Sequence, residues 1–301
     1  MLPPLRALPL VIVSAGATFL GCHGASERAA TRDAGPALTG PAPTVPMNVT
    51  PLPSASVAAY LNPAHVPPYA GPTGSVEGTI RVEGPPSPDM KGVDVSKCPA
   101  AARMYGKLFR EGAAGPGGTR ALADALVAVT GYVGYFVPER KEAETLEIED
   151  CAFAARTVAM TFGQRLDIAN KTPELWAPSM AQAPMPVLMM ATSHGDPVRL
   201  YPPHPGYFTL VDKESHAWAQ ADIYALLHPL HAVSDAAGHY RIDGVPVGKL
   251  KVNARLRVLK RDATVDVEVL ANVVQTADIV LRYAPEDDAP VDAGPRPHII
   301  P

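Results

Sequence analysis

Charge is scarce in this chain. Only 19% of its 301 residues are Asp, Glu, Lys or Arg, and the net charge is −4. That balance leaves no basic footprint for nucleic acid, and no polybasic or amphipathic helical stretch adds membrane affinity. Catalytic signatures are missing as well. There is no G-x-S-x-G, no H-E-x-x-H and no G-x-x-x-x-G-K, so nothing marks a serine hydrolase, a zinc protease or a P-loop enzyme. Gly115-Pro-Gly-Gly118 is a loop with no phosphate-binding lysine behind it. Glu286-Asp287-Asp288 is a solvated tail run, not a pair facing across a cleft. Aromatic residues make up 6% of the chain, and there are three cysteines.

What is present begins at the N-terminus. Arg6 precedes the apolar run Ala7–Leu20, which has the length of a signal-peptide h-region and is too short to span a bilayer. Phe19-Leu20-Gly21-Cys22 resembles a lipobox, with a small residue at −1 and Phe19 in place of the usual Leu at −3. Two readings stand: Cys22 is acylated and becomes the new N-terminus, or the segment is an ordinary secretory signal and Cys22 a free thiol. Either way the mature chain is expected to be exported, and in the first reading the lipid is its sole membrane attachment. With Cys22 modified, Cys98 and Cys151 remain. An even number in an oxidising compartment favours a Cys98–Cys151 disulfide.

Four regions are expected. Residues 1–22 are the signal, and 23–72, rich in Ala, Pro, Gly, Ser and Thr, read as a disordered tether. Residues 73–283 form the folded part, long enough for a real core. Residues 284–301 are an acidic, proline-rich disordered tail. Inside 73–283 the dominant period is two. Val76, Gly78, Ile80 and Val82 alternate with Ser75, Glu77, Thr79, Arg81 and Glu83, as in a half-buried strand. Arg156–Phe162, Arg165–Ala169, Tyr207–Val211, Ala219–Leu226, Tyr240–Ile242, Leu250–Val258, Thr264–Leu270 and Ala277–Tyr283 are further strands. Only Pro99–Lys107 and part of Thr119–Leu126 read as helical. The expected fold class is all-β, an antiparallel sandwich, with the proline-rich loop Lys171–Pro203 over one end.

Two stretches carry a family resemblance. Asp235–Val252, with turns at Gly244 and Gly248, looks like the hairpin of carboxypeptidase-regulatory-like (transthyretin-like) domains. More broadly, Ser75–Val258 resembles exported cupredoxin-like proteins, some labelled methylamine-utilisation proteins. The matching features, in order, are Gly78–Val82, Cys98, Cys151 with Phe153, the loop Lys171–Pro203, and His216-Ala217-Trp218. This resemblance implies a cupredoxin-like sandwich in the envelope of a Gram-negative bacterium, facing the periplasm from the outer membrane. It also implies where copper ligands belong, and they are mostly missing. After Asn170-Lys171-Thr172-Pro173, Trp176 and Ser179 stand where histidines would sit, and Lys213 stands where the copper cysteine would. Only His216 survives. A blue-copper centre, which needs a thiolate and two imidazoles, is excluded by this inventory.

A replacement metal site is the alternative reading, with copper held by His216, His228, His231, Met180 and Met185. Met189 and Met190 lie in the same loop. Apolar packing explains loop methionines equally well. Trp176, Tyr201, Tyr207 and Trp218 either stack on a sugar ring or partner, or pack internally. The expectation is a non-catalytic, lipid-anchored binding or scaffolding protein without a cofactor. Its speculative binding surface is Trp176, Tyr201, His216 and Trp218, and its partner an envelope protein or glycan. A polysaccharide-active enzyme or carbohydrate-binding module is a third reading; the enzyme needs two opposed carboxylates.

Overall fold

The computed structural model describes residues 49–284 apart from 93, 97 and 184–187. The expectations for the signal, Cys22, the first part of the tether, Met185 and all of the tail but Ala284 lie outside these residues. The fold is all-β, with two short helices. The single sandwich expected over 73–283 is divided into two pairs of sheets, each with its own core.

The first pair surrounds strand Thr73–Glu83, whose even-numbered side chains Val76, Ile80 and Val82 are fully buried. It pairs antiparallel with His239–Pro246 and parallel with Val274–Thr276 and Ile279–Arg282. Arg120–Leu122 pairs at its far end and carries Glu111–Ala114 on its other edge. The facing sheet runs His231–Val233, Leu126–Thr130, Gly248–Arg255, Ala263–Val269. Val127, Val129, Leu250 and Val252 fill the space between them, with Tyr240 and Ile242 from the opposite sheet. Gly238 has φ +80, and a Cβ there would lie 2.4 Å from the Ile80 carbonyl, so the turn before His239–Pro246 requires glycine.

The second pair occupies residues 143–226, inserted between Leu126–Thr130 and its antiparallel neighbour His231–Val233. One sheet is Val198–Leu200, Arg165–Asn170, Ala143–Glu149, Ala152–Phe153; the other is Thr157–Thr161, Gln220–Leu226, Gly206–Asp212, Pro178–Met180. Leu146, Ile148, Phe153, Met160, Leu166, Ile168, Phe208, Leu210 and Ile223 form its core. Leu126, Ala159, Tyr224 and Leu226 are buried together where the sheets of the two pairs meet.

Three local expectations change. Thr119–Leu126 is not helical: it holds strand Arg120–Leu122 and then Asp124 at φ +65, which no helix accommodates. The described part of the tether, 49–72, is not structureless. It contains helix Ser54–Leu61, with Tyr60 edge-on to Phe162 at 5.1 Å. The backbone N–H of Tyr69 then donates to the Phe136 carbonyl at 2.8 Å, and that of Phe136 to the Pro67 carbonyl at 3.1 Å. The loop Lys171–Pro203 is woven into both sheets of the second pair through Pro178–Met180 and Val198–Leu200.

The expected disulfide is present: Cys98 and Cys151 are bonded, with Cα atoms 6.1 Å apart. Cys98 caps helix Pro99–Tyr105, its sulfur accepting from the Ala101 N–H at 3.0 Å, and Pro99 stands where its missing N–H costs nothing. The helix ties to the insert through Tyr105, whose hydroxyl accepts from the Phe153 N–H at 3.2 Å.

Candidate functional site

The histidine-tryptophan segment follows strand Gly206–Asp212 and turns tightly before Gln220–Leu226. Asp212 ends the first strand with its side chain fully enclosed. Its Oδ1 accepts from the Ala177 N–H at 2.6 Å. Its Oδ2 accepts from the His216 backbone N–H at 3.1 Å and faces His216 Nδ1 at 2.9 Å. A buried carboxylate requires such partners, and here they fix the imidazole by its Nδ1.

Trp176 lies flat on that imidazole, with ring centres 3.7 Å apart and planes 4° from parallel. It is fully buried, and its indole N–H donates to Thr172 Oγ1 at 3.2 Å. Thr172 is set by Asn170, whose carbonyl oxygen accepts from the Thr172 N–H and hydroxyl at 2.9 and 2.8 Å. The Asn170 amide donates to the carbonyls of Glu174 and Ala191 at 2.7 and 2.8 Å. The Asn-x-x-Pro turn therefore presents an indole to His216. Trp218 meets the imidazole in a T-shaped contact at 5.5 Å, and its indole N–H donates to the Cys151 carbonyl at 2.9 Å.

This arrangement does not fit a copper ion. Trp176 covers one face of the surviving imidazole, Asp212 engages its Nδ1, Ser179 is buried within strand Pro178–Met180, and Lys213 carries no sulfur. Of the wider set, His216, His228, His231 and Met180 are not assembled either, and Met185 lies outside the described residues. Met180 is buried in the second core, and His228 and His231 lie beyond strand Gln220–Leu226 on the return to the first pair of sheets. Among the described residues, no three His, Cys, Asp or Glu side chains are grouped to hold a metal.

The proposed binding surface is likewise corrected. Trp176, Tyr201 and His216 are buried and Trp218 is half-buried: Trp176 belongs to the core of the insert, His216 stacks on it, and Trp218 packs against that core. Tyr207 is half-buried; its hydroxyl donates to Asp222 Oδ1 at 2.8 Å, and Arg257 lies 5.0 Å above its ring.

Two further groups stand out: the candidate metal histidines His228 and His231, and a charged cluster that the sequence reading did not single out. Burial pushes His228 down to about 4, and burial with His228 and Lys141 nearby pushes His231 down to about 3. His228 Nδ1 is buried without a hydrogen-bond partner among the described residues, and His231 Nε2 lies 3.4 Å from Thr161 Oγ1, which also bonds Glu139. The second group is charged. Arg110 grips Asp124 through two bonds of 2.7 and 2.6 Å, and Arg257 donates to Asp222 at 3.1 Å. An acidic residue four positions before a histidine was the one available signal for the Asp212–His216 pair.

No family model and no curated protein matches the chain. Solved structures are similar over part of it, among them the following three. A reduced amicyanin variant is 10% identical over 28% of this chain and 81% of its own, with a TM-score of 0.25. Amicyanin from Paracoccus versutus is 11% identical over 29% and 84%, with a TM-score of 0.26. The copper-containing nitrite reductase of Thermus scotoductus SA-01 is 15% identical over 34% and 26%, at 0.25.

Proposed function

We propose that this chain is a lipid-anchored, non-catalytic binding or scaffolding protein of the cell envelope. In this reading the insert is a cupredoxin-like sandwich whose metal position has become hydrophobic core. One observation supports it above the rest: the indole of Trp176 stacked at 3.7 Å on an imidazole that Asp212 holds by Nδ1. A side chain of that size, fully buried, exchanges a ligand position for packing. The anchor reading rests on the h-region Ala7–Leu20 and on Cys22 after Gly21. Partner recognition then belongs to exposed surface, and an envelope protein or glycan remains the partner class. The test is partition of the full-length chain, expressed in a Gram-negative host, between detergent and aqueous phases. Wild type is expected in the detergent phase and Cys22→Ala in the aqueous phase; identical partition defeats the anchor.

A further inference from the structure

Where the inserted sandwich meets the first one, a cavity of about 30 Å³ is lined by Phe109, Asp124, Arg156, Thr157, Asp222 and Arg257, among others. We propose that it binds one halide-sized monovalent anion, chloride, between Arg156 and Arg257.

The argument is a count of charges. Arg110 and Asp124 form a two-bond pair, and Arg257 and Asp222 form another. Each carboxylate is thereby matched by one guanidinium. Arg156 is left over. Its side chain donates to three neutral carbonyls, those of Met104 at 3.4 Å, Lys107 at 3.0 Å and Leu108 at 2.9 Å. Among the described residues no carboxylate bonds its guanidinium; Asp124 Oδ1 meets only its backbone N–H, at 3.4 Å. Burial disfavours its charge, with Asp124 and Asp222 opposing that and Arg110 adding to it. A guanidinium has five N–H donors, so part of the Arg156 fork is unused, as is most of the Arg257 fork.

Thr157 is a buried residue at the cavity wall, and its hydroxyl rotates to donate to an anion. The backbone at Asp124 is held at φ +65, an uncommon conformation for a non-glycine residue. It aims the carboxylate at Arg110 and at the Arg156 backbone N–H, leaving the Arg156 guanidinium to its three carbonyls. A water molecule fits the space but leaves one positive charge uncompensated in a partly dry interface, which is costly. A monoanion removes that cost. Size excludes the larger alternatives: the cavity has room for only one or two water-sized ligands, so a phosphate or a sugar acid does not enter.

Ligands that bind only the folded state raise its melting temperature by mass action. The test is thermal unfolding of the purified chain at constant sodium and ionic strength, with gluconate replaced stepwise by chloride. A saturating rise in Tm with chloride, reproduced by bromide, is expected. Arg257→Gln is expected to shift the chloride midpoint at least tenfold upward. Superimposable curves in chloride and gluconate overturn the proposal, and so does an Arg257→Gln variant with the wild-type midpoint. Because that variant can lose its fold, chloride-35 line broadening on the wild-type protein serves as a second readout. Broadening that competing bromide reverses supports the site, and its absence at millimolar protein overturns it.

Discussion

Replacing Trp176 by alanine removes the largest fully buried side chain of the insert, together with its stacking on His216 and its bond to Thr172. Buried Trp-to-Ala changes cost about 3–5 kcal/mol, and the ring pair adds about 1 kcal/mol beyond area. Domains of this kind are stable by roughly 5–15 kcal/mol, so the insert is expected to lose a large share of its stability. Trp176→Phe keeps a ring against the imidazole and gives up the indole N–H, for a smaller loss of about 1–2 kcal/mol. Guanidinium unfolding followed by far-UV circular dichroism reads both. A double-mutant cycle with His216→Ala isolates the ring pair and is expected to return about 1 kcal/mol of coupling. The reasoning fails if Trp176→Ala costs under 1 kcal/mol, because a side chain so placed cannot then be part of a packed core. Copper(II) added to the wild-type protein is expected to give no intense visible sulfur-to-copper band, since Lys213 supplies no thiolate.

Reduction of Cys98–Cys151 is expected to cost about 4 kcal/mol for its sequence separation of 53; thiol titration of the unfolded, non-reduced chain should find neither cysteine free. Acid should weaken the junction between the sandwiches. His228 titrates near 4 when folded against an ordinary 6.5, so the unfolded chain binds the proton first. Stability is therefore full above pH 6.5 and falls as pH drops toward 4, by about 1–3 kcal/mol. A double variant His228→Phe, His231→Gln should flatten that slope in a pH series of urea melts; an unchanged slope assigns it to other groups.

The alternation through Val76, Ile80 and Val82 was readable because that strand turns one face to the core and the other to charged partners such as Arg241, whose guanidinium pairs with Glu77 at 2.7 Å. Leu126–Thr130 was not, because Val127 and Val129 face one core while Leu126 faces the second sandwich. A strand covered on both sides loses the period-two pattern. The division into two cores was hidden for a related reason: both use the same strand vocabulary, and no linker composition marks the borders near 131 or 228. Helix Ser54–Leu61 escaped notice because none of its residues is buried, so no apolar stripe forms. For the site, the missing copper ligands were plain in the residue inventory. That the imidazole is turned onto an indole was not, because Trp176 and Asp212 meet His216 only through the folded sheet.

The nested order of the two sandwiches has a consequence for biogenesis. Ser75 bonds to Asp243 across a separation of 168 residues, and the Thr79 N–H to Asp278 across 199. A chain emerging N-terminus first has its outer sandwich begun early and finished last, since Val76, Ile80 and Val82 stay uncovered until the strands from His239 to Arg282 have appeared. The insert, whose strand partners all lie between 143 and 226, can collapse in the interval. Truncation near residue 230 would thus leave a finished inner unit carrying an open, adhesive sheet, and a chaperone that guards nascent chains would find its target on the first strand.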